Sequence, residues 1–447
     1  MSKHAVLWVG AVVICTCAAG APAMAGTAGV PLSVSAYLLA GYDPNGVEPE
    51  PSEHTPGDII VKFKEGVDNE GRAAVLDKHR CSILDSCEDA DLHRVGIPLD
   101  CTPEEMIEMF QAEKAVEYAE LNYYASIYFV PDDPYYHYQW NFDNSSTGGI
   151  HTQAAWDLET GDPNVIVAVL DTGVAYEDYE SYKRAPDLAE TAFVPGYDFV
   201  NSDDHPNDDQ GHGTHVTGTI AQSTGNELGV AGIAFRCSIM PIKVLDDDGV
   251  GDQFTITQGI YFATNRGAKV INMSFGSPEG STSMRNAAAF AYRNGVTLVC
   301  AAGNDYQKGN PPSYPAAYAD YCIAVAATRF DGTRSYYSTT GSYVDIAAPG
   351  GDVLVDQNGD GYPDGILQQT FSVDPTEFNY FFFQGTSMAA PHISGVAALL
   401  VSRGITQPDQ VREAIQNTAT DVGDPGWDPE YGWGIVNASA ALTYQMP

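Results

Sequence analysis

Val165-Ile166-Val167-Ala168-Val169-Leu170 is an unbroken aliphatic run that ends on Asp171-Thr172-Gly173. An apolar stretch of this length without alternation suits a strand covered on both faces, hence a parallel sheet with helices on either side. Similar runs recur at 239–244, 270–273, 297–301 and 323–326, with helical patterns between them. Strands and helices in alternation give an α/β fold whose functional groups gather beyond the carboxyl ends of the strands. Asp171 stands at such an end.

Three further segments carry chemistry. Gly211-His212-Gly213-Thr214-His215 sets a histidine between two glycines, just before a helical run from Thr214 to Gln222. Gly385-Thr386-Ser387-Met388-Ala389-Ala390-Pro391 places Ser387 at the head of an apolar helix from Met388 to Val401. A helix N-terminus favours developing negative charge, and Pro391 falls early in that helix, where a missing amide hydrogen costs least. Ala301-Ala302-Gly303-Asn304 ends a strand on a turn that lets the Asn304 amide point into a cleft. A serine nucleophile needs a base, an acid that orients the base, and donors for an oxyanion. His212, Asp171 and Asn304 with the Ser387 amide match those needs. Asp-Thr-Gly also marks aspartic proteases, but they require a second such carboxylate, and the chain has no other Asp-Thr-Gly or Asp-Ser-Gly. A zinc site on His212 and His215 would need helical i, i+4 spacing around a glutamate; a turn role is the alternative for Asn304.

From about Pro131 onward, these residues resemble the subtilisin-like serine proteases, with the thermitase-like branch nearest. The resemblance implies a three-layer α/β fold with a mostly parallel central sheet, and a secreted endopeptidase that works through an acyl-enzyme. It implies that substrate pairs as an extended strand between Gly249-Val250-Gly251 and Ser274-Phe275-Gly276, with Ser313 near the floor of the first specificity pocket. It also implies structural calcium, held at one site by Asp133, Asp187, Asn226 and the carbonyls of Leu228 and Val230, and at a second by Asp198, Asp203 and Asn207. A third candidate is Asp356-Gln357-Asn358-Gly359-Asp360-Gly361-Tyr362-Pro363-Asp364, in an apparent insertion. Asp356, Asn358, Asp360 and Asp364 occupy positions 1, 3, 5 and 9 of an EF-hand-like loop, with Gly at 6. Position 12 is Leu367 rather than Glu, so the ligand set is short and a solvated acidic loop is the other reading.

Ahead of this region, Ser2-Lys3-His4, an apolar run from Ala5 to Ala19 and Ala23-Met24-Ala25 read as a secretory signal over residues 1–25. Residues 26–55 read as a Pro/Gly-rich linker. Residues 56–128 alternate strand, helix, helix and strand, and they end on a segment, Val116 to Tyr123, that resembles the propeptides of the family. That resemblance implies a small ferredoxin-like α+β domain that assists folding, inhibits, and is cut off near Tyr128 by the enzyme itself, leaving a catalytic domain of 129–447.

The balance of 59 acidic against 21 basic residues, a net charge of -38, sets nucleic acid and anionic membranes aside as partners. It suits bound divalent cations or a salty medium. After the leader no run reaches 18 apolar residues, so the expected partners are protein or peptide substrates and the propeptide, on a monomer free of membrane. Cys15 and Cys17 leave with the signal; Cys81, Cys87 and Cys101 fall in the propeptide region and Cys237, Cys300 and Cys322 in the catalytic region. Each region thus holds an odd number, which predicts a free or interdomain thiol unless chains are bridged. Cys300 and Cys322 lie on apolar runs and read as buried thiols. Two other functions fit parts of the sequence: a processing protease of narrow specificity, and a calcium-dependent binding protein on an inactive protease scaffold. The presence of all four catalytic residues argues against the second.

Overall fold

The computed structural model describes residues 54–123, 129–143 and 148–446, which form two compact units divided between Tyr123 and Phe129. The signal segment, nearly all of the linker and the Tyr128 junction lie outside the described residues.

The first unit runs β1 (His54–Phe63), α1 (Asn69–Lys78), β2 (Ser82–Cys87), β3 (Leu92–Gly96), α2 (Pro103–Gln111) and β4 (Val116–Tyr123). Its antiparallel sheet has the order β2-β3-β1-β4, the βαββαβ arrangement of a ferredoxin-like domain. Local chemistry sets the helix starts. Asp68 accepts from the Gly71 amide, and Thr102 with Glu105 forms a reciprocal capping box ahead of Pro103. Ile59, Val61, Phe63, Val95, Met106, Phe110 and Val116 close the core. β1 begins two residues inside the segment read as linker.

The second unit is built on an eight-stranded sheet made of β5 (Ile166–Asp171), β6 (Ala192–Phe193), β7 (Tyr197–Asp198), β8 (Ser238–Lys243), β9 (Val270–Met273), β10 (Thr297–Ala301), β11 (Cys322–Thr328) and β12 (Ile346–Pro349). The order β12-β11-β10-β9-β5-β8-β6, with β7 also on β8, is parallel throughout. Among the described residues this unit carries the α-helices α3 (Thr152–Trp156), α4 (His212–Ala221), α5 (Gln253–Asn265), α6 (Thr282–Arg293), α7 (Thr386–Ser402), α8 (Pro408–Asn417) and α9 (Ala438–Leu442). A hairpin, β13 (Ile366–Thr370) with β14 (Asn379–Phe383), packs beside α4.

β5 shows how the layers form. Val167 and Val169 face a core shared with Val216 and Ile220 of α4 and Ile393 and Val396 of α7. Ala168 and Leu170 face the other side, against Ile256 and Ile260 of α5 and Ala287 of α6. Period 2 in the strand thus feeds two helical layers, and the absence of alternation in the sequence is its direct record. Because β8 flanks β5 on one side and β9 on the other, the chain reverses direction across the sheet at β5, the position where such sheets open a crevice.

All six described cysteines are free thiols, with Cys237, Cys300 and Cys322 buried. Burial, with Cys322 alongside, pushes the Cys300 thiol well above its ordinary range. Among the described residues no helix is long and apolar enough to cross a membrane.

Candidate active site

Asp171 is the last residue of β5 and wholly buried, and its Oδ1 lies 2.7 Å from His212 Nδ1. His212 opens α4, two residues earlier than the sequence pattern places the helix. The glycines beside it are forced. Gly211 has φ +99°, and a Cβ on Gly213 would sit 2.1 Å from the Gly173 carbonyl oxygen and 3.1 Å from the Asp171 Cβ. Only a glycine lets the helix start press this closely on the strand end.

Beneath the loop lies Asp208, a buried carboxylate that sequence reasoning missed. It accepts from the Thr172 hydroxyl, the Gln210 and Gly211 amides, and both the amide and hydroxyl of Thr214. One anion therefore ties the Asp171 strand end to the His212 helix start. The signal for it was an acidic residue three positions before Gly211, one of the adjacent pair Asp208-Asp209 that residue type alone does not separate. Burial works against charge on His212, but the Asp171 carboxylate outweighs it, and Asp208 adds to the effect; the imidazole pKa lies above its ordinary 6.5.

Ser387 is the second residue of α7. Its hydroxyl donates to the Ser274 carbonyl at 2.8 Å, and the Ser274 hydroxyl donates to the Ser387 carbonyl at 2.8 Å. Pro391 explains the second bond. It lies in the sixth position of α7, past the free first turn, so it withholds the amide that would have reached the Ser387 carbonyl, and Ser274 supplies a donor instead. The expectation that a missing amide hydrogen costs least at Pro391 is thereby corrected, since its absence leaves the Ser387 carbonyl to Ser274.

Asn304 follows β10, and its Oδ1 accepts from the Thr386 amide and hydroxyl, both at 2.9 Å. Its Nδ2 is left facing Gly385: a Cβ built there would lie 3.5 Å from Asn304 Nδ2 and 3.6 Å from the Ser387 amide. Those two N–H donors converge on a small space beside the Ser387 side chain, the shape an oxyanion requires.

The segments expected to flank a substrate lie on the same side. Ser274, Phe275 and Gly276 follow β9 directly. Ser313 is clasped between Gly276, where a Cβ would meet its hydroxyl oxygen, and Gly303. Gly249 has φ +71° in a turn closed by Asp246, which leaves Val250 62% exposed ahead of Gly251.

A profile of the subtilase family matches residues 162–434, and a fervidolysin N-terminal prodomain profile matches residues 43–122. The chain belongs to the subtilase family. Over 428 residues it is 32% identical to the thermophilic serine proteinase of Bacillus sp. (strain AK1), covering 93% of this chain and 97% of that one. It is 38% identical to thermitase of Thermoactinomyces vulgaris over 319 residues, 71% of this chain and all of that one. The crystal structure of fervidolysin from Fervidobacterium pennivorans, described as a keratinolytic enzyme related to subtilisin, aligns with a TM-score of 0.57 at 27% identity, over 90% of this chain and 63% of that one. This subtilase is a serine endopeptidase with an N-terminal propeptide domain.

The residues expected to bind calcium in this subtilase differ in how well they suit a cation. At the first site Asp187 is wholly buried, with burial lifting its pKa to about 7; its Oδ1 accepts from Asn226 Nδ2 and its Oδ2 from the Val230 amide and Tyr380 hydroxyl. Asp133 accepts from the Gly225 amide through Oδ2, while its buried Oδ1 has no partner, and the two carboxylates repel one another. Buried like charges and an orphaned oxygen fit a hard cation. Leu228 donates its amide to Asn226 Oδ1. At the second site Asp198 spends both oxygens on the Val200 and Asn201 amides and the Asn201 side chain, and Asp203 caps His205. Asn207 donates to Glu177, and its buried Oδ1 is unpartnered. This fit is poorer, because the turn itself consumes the Asp198 carboxylate. Among the described residues no group of three His, Cys, Asp or Glu side chains is arranged to hold a metal ion. In the third loop the reason is visible: Asp356 turns both oxygens to the Gly359 and Gly361 amides, and Asp360 meets Asn358 and the Tyr362 amide.

Proposed function

We propose that Ser387 attacks the peptide carbonyl, that His212 takes its proton and returns it to the leaving amine, and that Asp171 holds the imidazole tautomer and stabilises its charged form. The observation that carries this reading is the 2.7 Å contact between buried Asp171 and His212 Nδ1, which leaves Nε2 as the ring's reactive nitrogen. The Ser387 hydroxyl rests on the Ser274 carbonyl, so attack requires that it turn about its Cα–Cβ bond toward the base. Asn304 Nδ2 and the Ser387 amide then receive the oxyanion, aided by the positive end of α7. Substrate lies as an extended strand along Gly249–Gly251 and Ser274–Gly276, with Ser313 at the base of the first specificity pocket; pairing through backbone gives broad selectivity.

The chain is exported by its first 25 residues, cuts itself near Tyr128, and keeps its 56–128 domain as an inhibitor until then. The relation to an extracellular serine protease of Natrialba magadii, 36% identical over 336 residues, supports export. Calcium at Asp133, Asp187, Asn226 and the Leu228 and Val230 carbonyls stabilises the catalytic unit, and Asp198, Asp203 and Asn207 form a second, weaker position. Mass spectrometry of the secreted wild-type and Ser387→Ala proteins, each treated with a fluorophosphonate, tests the scheme. The expected result is a wild-type N-terminus near Phe129 with the label on Ser387, beside an unlabelled full-length variant. A Ser387→Ala precursor that matures unaided at the wild-type rate would rule out self-cleavage.

A further inference from the structure

Phe129 is the first described residue of the catalytic unit, and both its backbone and its ring are fastened to that unit. Its amide donates to Asp157 Oδ1 at 3.1 Å, just beyond the end of α3. Its ring meets Trp156 edge-on at 5.8 Å and Phe235 at 6.0 Å, and those two rings lie 5.9 Å from each other. Trp156 makes a fixed floor, since it is buried and its Nε1 donates to the Ile233 carbonyl at 2.7 Å. The chain stays stitched to the same unit after Phe129: Asp132 and Asp133 accept from the Glu227 and Gly225 amides, and the Tyr135 amide donates to the Gly229 carbonyl. Asp157 itself lacks a cation. Among the described residues the Phe129 amide is the one hydrogen-bond or ion-pair partner of its carboxylate.

Resting on the self-maturation reading above, we propose that the bond cut is Tyr128–Phe129, and that Asp157, Trp156 and Phe235 form the site that receives the new N-terminus. The ammonium goes to the carboxylate and the ring to the aromatic pair. Hydrolysis leaves the Tyr128 carbonyl carbon as a carboxylate, its second oxygen taken from water, and releases the Phe129 nitrogen as an amine that takes up protons. Before the cut that nitrogen has one proton to donate and no charge. As an ammonium it has three and a positive charge. Hydrogen bonds between ionised partners are about twice as strong as neutral ones, so a contact already in place tightens only once the bond is broken. A cut one residue to either side shifts the amine about 3.8 Å along the chain and off the carboxylate. The site therefore selects one end among the neighbouring possibilities.

Wild-type protein that has matured during secretion is stopped with a fluorophosphonate, and its N-terminus is read by intact mass. The expected first residue is Phe129. Its α-amine is then acetylated with an N-hydroxysuccinimide ester at pH 7, where it outcompetes lysine, beside Asp157→Asn treated alike. The amine of the variant is expected to react about two- to fivefold faster, the scale of a partly exposed ion pair. In the uncut Ser387→Ala precursor, where Phe129 carries no charge, Asp157→Asn is expected to lower Tm less than in the mature protein. A carboxylate that serves the fold alone would lower both equally. A mature chain that begins elsewhere, an amine indifferent to Asp157, or equal losses in Tm overturn the proposal and leave self-cleavage standing; a wild type that stays full length overturns both. Should Asp157→Asn not fold, a free peptide of residues 129–133 is the reference. The wild-type amine then acetylates more slowly than that of the peptide, and an equal rate overturns the site.

Discussion

Thr386 holds Asn304 by its carbonyl oxygen, donating to Oδ1 from both its backbone N–H and its hydroxyl at 2.9 Å. A backbone amide can only donate, so the bond fixes which end of the Asn304 amide points at Gly385. The proposed oxyanion donor is thus set before substrate arrives, and preorganised donors of this kind contribute most to acyl transfer. Asn304→Ala is expected to lower kcat by about 10²–10³-fold with KM nearly unchanged, the scale known from the related subtilisins. Thr386→Val removes one of the two restraints and is expected to cost about tenfold or less, in line with a single hydrogen bond of about 1 kcal/mol. Steady-state kinetics on a chromogenic peptide check both, and equal losses would mean that Thr386 does more than orient.

Gly385 is the position where a single methyl group tests the same space. Its Cβ would stand 3.5 Å from Asn304 Nδ2 and 3.6 Å from the Ser387 amide, where the oxyanion is proposed to lie. Gly385→Ala is expected to fold, with φ +151° adding about 1–3 kcal/mol of strain, and to lose about 10²-fold or more in kcat by the same scale as a lost donor. Retained activity in a folded Gly385→Ala protein would move the oxyanion elsewhere.

The His212 pKa, raised above 6.5 chiefly because Asp171 outweighs the effect of burial, is expected to set the acid limb of the activity profile. A general base works in its neutral form, so activity rises with pH through that pKa, and the limb lies on the alkaline side of 6.5. Asp171→Asn removes the charge that raises it. The limb is then expected to move to lower pH, while kcat drops by about 10⁴ because the tautomer is no longer held. A profile of kcat/KM against pH for both proteins checks the sign; a limb that stays in place would separate Asp171 from the titrating group.

Calcium removal is expected to act on the first site most strongly, since two mutually repelling buried carboxylates are left facing each other there. A cation present at 100 times its Kd contributes about 2.7 kcal/mol to the folded state. Calorimetry of the Ser387→Ala protein in chelator should show Tm falling by several degrees, and Asp187→Asn should abolish most of that response. A melting curve indifferent to chelator would dispose of both proposed calcium positions together.

Much of this architecture was legible because chemistry and pattern coincide in sequence. The aliphatic run before Asp171, the glycines around His212 and the small residues around Ser387 each record a close approach that the structure shows as a distance. What was not legible depends on tertiary partners. Asp208 is indistinguishable by type from its neighbours Asp209 and Asp203, yet only Asp208 collects five donors from both sides of the Asp171–His212 junction. The role of Pro391 was misjudged because helix position alone does not reveal that Ser274, over a hundred residues earlier, serves the carbonyl it leaves bare. The second calcium position was read from residue types, and the structure shows how a turn can use up a carboxylate before a metal does.

The remaining histidines of the site region make an acid-sensitive core. His215 donates to the Ile366 and Phe381 carbonyls, and His392 bridges the Met388 carbonyl and the Asn141 side chain; burial lowers their pKa values to about 3 and about 4. Both stay neutral in the folded chain, whereas in the unfolded chain each titrates near 6.5. Their contribution is therefore complete above pH 6.5 and is lost as pH falls, at up to about 1.4 kcal/mol per pH unit for each ring. Asp187 and Asp345, raised by burial to about 7 and about 6, act with the opposite sign over much of the same range, as does His212, so the informative quantity is a difference between chains. Denaturant unfolding of Ser387→Ala and Ser387→Ala/His392→Gln between pH 6.5 and 5 is expected to show the parent losing stability faster, by up to that slope. Parallel curves would mean that His392 takes up its proton inside the fold, and that the bond to Asn141 reverses its direction when it does.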